Sequence, residues 1–201
     1  MIAAMLFSWL QGAGFYHDLH KQAVELLPPG NSKFWLDVGS GPGLVSRLAA
    51  QRGYQVMGID SDAPSIQAAK LIAGSQGLSI DFRLGDAYHL PSETADVISA
   101  ASLLAVLPDR EKGLTSLWRA VRSGGSLLII EPTDQMTTEN AEKLIQQNDL
   151  PRKRIEGLRM WASARQGNIV TPAIFESLGT ATAKFTPLLH GLVGGWVISK
   201  A

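Results

Sequence analysis

The stretch Leu36-Asp37-Val38-Gly39-Ser40-Gly41-Pro42-Gly43 decides how this chain folds. It follows a short apolar run, Phe34 to Leu36, and precedes apolar residues at helical spacing, namely Leu44, Val45, Leu48 and Ala49. Glycines accept backbone angles that a Cβ forbids, and the free N–H groups that open a helix carry partial positive charge. The stretch therefore predicts a strand, a glycine turn and a helix, an arrangement that brings the backbone close to an anionic ligand.

The spacing of these glycines separates two kinds of nucleotide site. A dinucleotide fingerprint reads G-x-G-x-x-G, and its third glycine lets the helix pack closely on the strand. Here the glycines stand at Gly39, Gly41 and Gly43, and Ser46 occupies the place of that third glycine. The turn therefore reads G-x-G-x-G, which disfavours a nicotinamide-dependent oxidoreductase.

An acidic residue follows the turn at the spacing typical of a ribose-binding residue. Asp60 ends the next expected strand, Gln55 to Ile59, and lies 21 residues after Gly39. An acidic side chain at about this spacing accepts hydrogen bonds from the ribose hydroxyls of a bound nucleotide. The alternative is that Asp60 or Ser61 caps the helix expected near residues 64–73. The ribose role is favoured because the glycines set the spacing independently.

The eight-residue stretch, with Asp37 ahead of the first glycine, resembles the first motif of the class I S-adenosylmethionine-dependent methyltransferases. The resemblance covers about residues 16–201, with its strong motifs between residues 36 and 131. It implies an α/β fold: a Rossmann-like, doubly wound sheet of seven strands, mostly parallel with an antiparallel last strand, and helices on both faces. It also implies S-adenosylmethionine as cofactor and methyl transfer to a small, apolar or acidic molecule. A structural glycine turn in another α/β protein is the alternative.

The same resemblance assigns cofactor contacts. In Gly85-Asp86-Ala87 it implies that Asp86 accepts from the adenine amino group and that the Ala87 N–H donates to a ring nitrogen. Tyr16 matches only loosely a tyrosine that closes over the methionine end, because a histidine separates it from Asp18. The full set of expected cofactor contacts is Tyr16, Asp37, Gly39, Ser40, Gly41, Asp60, Ser61, Asp86, Ala87 and Ala101.

The acceptor side is less defined. In many members of the resembled family the loop after the fourth strand carries histidines, but here Ser102, Ala105 and Val106 stand at comparable positions. This departure removes a polar contact and leaves a more apolar wall. The expected lining, besides Tyr16, is His17, Tyr88, Leu103, Trp161 and His190. No catalytic residue is assigned, because no candidate base has a context that singles it out among His17, Asp18, His20, His89, Glu131 and His190.

Apolar patterns place the remaining elements in one domain. Strands are expected at 79–84, 95–101, 126–131, 180–189 and 195–200, and helices at 15–27, 110–122, 137–147 and 153–165. The last two strands form an expected C-terminal hairpin. The domain, 1–201, is expected to contain an N-terminal helical cap (1–30), a cofactor-binding core (31–131), and cap helices with the hairpin (132–201).

The first ten residues are strongly apolar. A membrane-spanning helix needs roughly 20 such residues, and a secretory signal has a basic start. Helical spacing instead relates Ile2, Met5, Leu6, Trp9 and Leu10. A helix packed on the domain is therefore expected, and no stable membrane insertion. A cytoplasmic location of the protein is also expected. The alternatives are a membrane-surface anchor and a partial roof over the substrate.

Charge and composition indicate which kinds of partner, such as nucleic acid or a metal ion, are expected. The 201 residues contain 18 Lys plus Arg and 18 Asp plus Glu, so no overall field favours nucleic acid, and none is expected as a partner. There is no cysteine, and His17 and His20 lack a third ligand, so no metal is expected. The basic stretch 152–165 is expected to be a solvated helix face, with a cap that favours an acidic substrate as the alternative.

A second class of function stays open at this stage. The alternative function is a module that binds S-adenosylmethionine without turnover, or a protein methyltransferase that works with a partner protein. The fold does not separate these readings, because one fold hosts many acceptors. The oligomeric state does not follow from the sequence either.

Overall fold

The structure, a computed structural model, describes residues 9–147, 150–179 and 183–201. Within these ranges the strands are β1 (Phe34–Val38), β2 (Gln55–Asp60), β3 (Asp81–Leu84), β4 (Ala95–Ala101), β5 (Val121–Pro132), β6 (Ala183–Leu188) and β7 (Val193–Ser199). The α-helices are α1 (Gly14–Glu25), α2 (Leu44–Gln51), α3 (Ala63–Ser75), α4 (Arg110–Ala120), α5 (Thr138–Gln146) and α6 (Glu156–Arg165). Short 3-10 segments span Leu104–Val106, Pro172–Leu178 and Leu189–Gly191.

The seven strands form one sheet in the order β3-β2-β1-β4-β5-β7-β6. The strands from β3 to β5 run parallel, and β7 lies antiparallel between β5 and β6. This confirms the predicted fold class, including the antiparallel last strand. The chain order reverses between β1 and β4, and in such sheets a ligand binds outside the carboxyl ends of the strands at this reversal.

Helices cover both faces of the sheet because side chains alternate along its strands. On β5, Leu128 and Ile130 belong to the core that packs under α1, α2, α5 and α6. Their neighbours Leu127 and Ile129 belong to the core under α4. A strand whose side chains are buried on both faces is the signature of a parallel sheet covered by helices. In the described part of the chain, no helix has both the length and the apolar character needed to cross a membrane.

Several element boundaries differ from the sequence prediction. Strand β5 begins at Val121 rather than residue 126, because Val121 already pairs with Ala95 before the register shifts. The predicted N-terminal helix falls mainly on residues 1–8, outside the described residues, although Trp9 and Leu10 are helical. The predicted strand at 180–189 begins at Ala183, and residues 180–182 lie outside the described ranges.

Gly43 lets the start of helix α2 lie close to the sheet. Its φ is +78°, and it immediately precedes α2. A Cβ at this position would lie 2.7 Å from the Phe82 ring and 3.2 Å from the Cβ of Ala69. Phe82 is fully buried on β3, so neither neighbour has free space to move into. The third glycine of the motif is therefore required by packing as well as by backbone angle.

We predict that Gly43→Ala lowers the free energy of unfolding by at least about 2 kcal/mol. The left-handed backbone alone costs roughly 1–2 kcal/mol for a residue with a Cβ, and forced overpacking adds roughly 1–3 kcal/mol. Urea unfolding measures the change. Gly77→Ala is the matched control, because Gly77 has φ +68° and no atom within 4 Å of its added Cβ. Equal losses in the two variants would show that the packing against Phe82 does not matter.

Candidate functional site

A cavity of about 590 Å³ opens at the carboxyl ends of β1 to β4. Its lining comes from the β1 turn, the ends of β2 and β3, the loop after β4, and α6 above them. The residues are Trp9, Leu10, Val38, Gly39, Gly41, Pro42, Asp60, Ser61, Asp62, Ser65, Gly85, Asp86, Ala87, Tyr88, Ala101, Ser102, Leu103, Val106, Leu107, Pro108, Gly157, Met160, Trp161, Ala164 and Arg165. The cavity thus lies where the strand order reverses, the expected place for a ligand in this type of sheet.

Asp60 joins the glycine turn to the start of α3. Its Oδ2 accepts from the Gly41 N–H at 2.7 Å, and its Oδ1 accepts from the Asp62 N–H at 2.8 Å. Each carboxylate oxygen can accept a further bond, so the group can still take two hydroxyl donors from the cavity. The helix cap is Asp62, whose carboxylate accepts from the Ser65 N–H at 2.9 Å. The alternative that Asp60 or Ser61 caps α3 is therefore wrong.

Asp86 lies next to Asp60 along the same edge, just after β3. Its Oδ1 accepts from the Tyr88 N–H at 2.9 Å, and its Oδ2 lies 2.6 Å from His89 Nδ1. The hydrogen bond from the Tyr88 N–H lowers the pKa of Asp86 below its usual range, and the hydrogen bond with His89 has a smaller effect in the same direction. Asp86 is therefore an ionised acceptor at neutral pH, fixed in direction by its own loop.

Asp37 has a different surrounding from the other two carboxylates. It is 1% exposed and lies beneath the turn, not among the residues that line the cavity. Its carboxylate accepts from Ser46 Oγ at 2.6 Å and from Ser99 Oγ at 2.7 Å, and Ser99 Oγ in turn accepts from Trp35 Nε1. Burial raises the pKa of Asp37 to about 6, against the lowering effect of the two serines. Asp37 thus connects β1, α2 and β4 beneath the turn.

The loop after β4 is held by the end of β5. Ser102 has φ +54°, and its N–H donates to the carbonyl of Ile130 at 2.8 Å. The Leu104 N–H donates to Oε1 of Glu131 at 2.7 Å. Glu131 is fully buried, and burial raises its pKa to about 7 although Arg165 and the Leu104 N–H lower it. A buried carboxyl group therefore fixes the backbone that carries Leu103 into the cavity.

Residues 36–129 match the methyltransferase domain family. Over 46% of its length the chain is 35% identical to the ubiquinone biosynthesis O-methyltransferase of Pseudomonas fluorescens, covering 41% of that protein. Over 60% of its length it is 31% identical to the nocamycin O-methyltransferase of Saccharothrix syringae, covering 45% of it. A Methanococcus maripaludis structure assigned to the S-adenosyl-L-methionine-dependent methyltransferases superposes with a TM-score of 0.72 at 17% identity, covering 98% of this chain and 92% of that one.

Residues 36–129, just under half of the 201-residue chain, are similar to the methyltransferase domain family, and the solved Methanococcus maripaludis structure has the same fold. The matched segments span less than half the length of the two curated relatives. The family match begins at Leu36, two residues into β1, and ends on β5 at Ile129. It therefore contains the glycine turn, Asp60 and Asp86, and it leaves α1, α6 and the hairpin outside.

The lining fits the cofactor that this methyltransferase family uses. An adenosine needs hydrogen-bond acceptors for its ribose hydroxyls and its amino group, and Asp60 and Asp86 are acceptors at adjacent strand ends. A Cβ at Gly39 would lie 2.8 Å from Leu103 Cδ1 and would fill the space above the turn. The lining also contains apolar side chains, among them Val38 and Ala87, that suit the flat face of a base.

The structure brings most of the expected site residues together. Those that line the cavity are Gly39, Gly41, Asp60, Ser61, Asp86, Ala87, Ala101, Tyr88, Leu103 and Trp161. Two expected contacts, Asp37 and Ser40, are buried below the turn instead, and the Ser40 hydroxyl has no hydrogen-bond partner among the described residues. Their side chains do not belong to the cavity lining, and their predicted contact with the cofactor stays a prediction.

Tyr16 and the two predicted histidines are also placed elsewhere. Tyr16 is buried under Trp161, with ring centroids 5.2 Å apart, and it hydrogen-bonds to Ser102. His17 lies on the exposed side of α1 beside Asp18. His190 is exposed in the turn between β6 and β7, with φ +55°. Sequence spacing did not reveal that these three side chains lie outside the cavity lining.

Sequence reasoning missed one wall of the site. Helix α6 presents Gly157, Met160, Trp161, Ala164 and Arg165 to the cavity, of which only Trp161 was expected. Positions separated by three, four, seven and eight residues form one face of a helix, so this spacing was available in the sequence. Trp9 and Leu10 also line the cavity, consistent with the alternative that the N-terminal segment partly roofs it. The described residues contain no cluster of three side chains able to hold a metal ion.

We predict that Glu131 makes the protein less stable as the pH rises from 5 to 7.5. The folded chain holds the Glu131 proton more tightly than the unfolded chain, so the associated stability is present below the ordinary pKa and is lost as pH rises through about 7. The loss is up to about 3 kcal/mol. Urea unfolding of the wild type and Glu131→Gln at both pH values should show a shallower decline in the variant.

Glu139→Gln is the control for this experiment. Glu139 is exposed on α5, pairs with Lys143 at 2.6 Å, and makes no contact with the cavity. Its variant should keep the pH dependence of the wild type. A Glu131→Gln variant that follows the wild-type decline would contradict the assignment of this titration to Glu131.

Proposed function

We propose that this chain is a methyltransferase that binds S-adenosylmethionine at the ends of β1 to β3 and methylates a small apolar or acidic molecule beneath α6. The observation that carries the proposal is the convergence of the glycine turn, Asp60 and Asp86 on one cavity. The two curated relatives are O-methyltransferases by name, which supports an oxygen atom as the acceptor. The similarity of residues 36–129 to the methyltransferase domain family and the chemistry of the lining support the same conclusion.

In this proposal each cofactor group has a partner. Asp60 accepts from the two ribose hydroxyls, with Ser61 beside it, and Asp86 accepts from the adenine amino group. The Ala87 N–H donates to a ring nitrogen. The backbone of Gly39 and Gly41 lies against the amino-acid part, and Ala101 closes this end of the cavity. The support is the hydrogen-bonding capacity and placement of these groups around a single space.

The acceptor is proposed to lie between the loop after β4 and α6. Leu103 and Trp161 are walls of this region, and Tyr88 borders it from β3. Their apolar surfaces favour an acceptor with a sizeable apolar body. The proposed division of the domain is an N-terminal helical cap at 1–30, a cofactor-binding core at 31–131, and cap helices with the C-terminal hairpin at 132–201. A cytoplasmic location is kept as part of this proposal.

In the proposed reaction the main task of the protein is to align the acceptor atom with the methyl group of the cofactor. When bound, the cofactor supplies a methyl group on a positively charged sulfur, which is already electrophilic. Holding the acceptor in line with that group can contribute about 7–11 kcal/mol to the rate through proximity and orientation. The rigid loop after β4, anchored by Glu131 and Ile130, supports this positioning. No side chain is assigned as the catalytic base.

We predict that Asp60→Ala abolishes binding of S-adenosylhomocysteine, the demethylated product. The substitution removes the acceptor for the ribose and the tether to the Gly41 N–H. At 100 times its dissociation constant the product should stabilise the wild type by about 2.7 kcal/mol, and NAD should not stabilise it. Thermal-shift titration and calorimetry measure both effects.

Asp81→Ala is the matched control for Asp60→Ala. Asp81 is an aspartate on the neighbouring strand that pairs with Arg83 outside the cavity. It should leave product binding unchanged. Unchanged product affinity in Asp60→Ala, or stabilisation of the wild type by NAD alone, would disprove the proposed cofactor site.

We predict that Asp86 selects adenine. The wild type should bind S-adenosylhomocysteine more tightly than S-inosylhomocysteine, in which an oxygen replaces the amino group. A hydrogen bond to a charged acceptor contributes roughly 1.5–3 kcal/mol, about a 10- to 100-fold preference that Asp86→Ala should remove. His89→Ala removes a neighbour of Asp86 but leaves the acceptor, so its preference should persist. A preference that survives in Asp86→Ala would assign selection to other groups.

A further inference from the structure

Arg165 is placed differently from the other basic residues of its stretch. Arg159, on the same helix α6, is exposed and pairs with Glu142 and Glu156 at the surface. Arg165 is only 7% exposed and lies on the face of α6 that lines the cavity. The expectation of a solvated basic face therefore holds for Arg159 and not for Arg165.

The charges around the cavity are separated. Among the described residues that line it, the acidic side chains are Asp60, Asp62 and Asp86, at the ends of β2 and β3. Arg165 is the single basic residue of that lining. Its Nη2 lies 3.4 Å from the carbonyl oxygen of Ser102, which follows β4. Since β1 separates β2 from β4, the cation and the carboxylates occupy opposite ends of the space.

Two hydrogen-bond donors at the cationic end are not used by the protein. Arg165 Nε and Trp161 Nε1 are buried and have no hydrogen-bond partner among the described residues. They stand four residues apart, and both side chains belong to the cavity lining. In the described part of the chain no carboxylate pairs with Arg165 within 4.0 Å. Buried donors left without acceptors cost free energy, and the cost is larger for a charged group.

An oxyanion is the ligand group that matches this arrangement. A guanidinium presents N–H donors in a fixed fork that fits two oxygens of a carboxylate, and an indole N–H adds a neutral donor. Glu131 is buried nearby, but its Oε2 has no hydrogen-bond partner either, so it does not fill the donors of Arg165. The surrounding wall, which includes Met160 and Val106, is apolar.

We infer that Arg165, together with Trp161 Nε1, binds a carboxylate-type oxyanion carried by the molecule that enters the apolar end of the cavity. This inference rests on the proposed function and makes the acceptor an apolar acid. The amino-acid part of the cofactor also carries a carboxylate, so it shares the chemistry that Arg165 recognises. The two sources are separable by experiment, because only one of them belongs to the cofactor.

The test compares matched ligand pairs by calorimetry on the full chain. For the acceptor, 2-naphthoate and 2-naphthamide share shape and differ in charge, and both are titrated with and without S-adenosylhomocysteine. For the cofactor, S-adenosylhomocysteine is compared with methylthioadenosine, which lacks the amino-acid carboxylate. The variants are Arg165→Met and Arg165→Lys, with Arg159→Met as the control on the exposed side of α6.

The wild type should bind 2-naphthoate at least 10-fold more tightly than 2-naphthamide. Arg165→Met should equalise the two affinities, Arg165→Lys should keep part of the preference, and Arg159→Met should keep all of it. This result assigns the oxyanion to the acceptor. A 10-fold loss of S-adenosylhomocysteine affinity in Arg165→Met, with methylthioadenosine unchanged, supports the inference with the cofactor as the source.

The inference is overturned when neither ligand ratio changes in Arg165→Met, or when the wild type itself shows no preference for either carboxylate. If Arg165→Met does not fold, Arg165→Lys and the wild-type ratios still decide, because a point charge should weaken a two-oxygen contact without removing it. A wild type that binds neither S-adenosylhomocysteine nor methylthioadenosine disproves the proposed function instead. The naphthoate ratio on the free protein then still reports on Arg165.

Discussion

The buried carboxylate of Asp37 organises the centre of this protein. It accepts from Ser46 on α2 and from Ser99 on β4, so it ties both elements to the end of β1. Taking a carboxyl group out of water is unfavourable, and the raised pKa of about 6 records that cost. The two hydroxyls offset it by donating to the carboxylate, and the turn above therefore has a fixed base.

The turn itself is held from the other side by a second carboxylate. Asp60 accepts from the Gly41 N–H and the Asp62 N–H, so one side chain sets the spacing between the turn and the end of β2. The same oxygens face the cavity, where a ligand can use their remaining acceptor capacity. A residue with a structural contact and a free acceptor position is thus prepared for binding without moving. Gly43, packed against Phe82, keeps α2 close enough for this geometry.

The end of the cavity near Arg165 presents hydrogen-bond donors, whereas the end near Asp60 and Asp86 presents acceptors. There the Nε–H of the buried Arg165 and the buried indole N–H of Trp161 lack acceptors, and the carboxyl group of Glu131 accepts from the backbone of Leu104 through one of its oxygens. Polar groups that remain unsatisfied inside a protein are costly, and in a cavity they indicate what a ligand has to supply. Acceptors at one end and donors at the other give the cavity a direction. A ligand pair with hydroxyls and an amino group at one end and an oxyanion at the other fits that direction.

The sequence by itself determined the order of strands and helices, the fold class, and the acidic side of the site. The order of the elements and the place of Asp60 follow from local patterns: glycine spacing, the distance from Gly39 to Asp60, and apolar runs of strand length. The seven-stranded fold class with its antiparallel last strand, and the role of Asp86, were implied by the resemblance of the glycine motif to a known family. Only the tertiary structure decided which polar side chains face the cavity. Asp37 and Asp60 each end up at a strand end, yet one points into the core and the other into the space, because each orientation depends on partners distant in the chain. Arg165 shows the reverse case: its sequence context is a basic surface helix, and only the packing of α6 over β4 buries it.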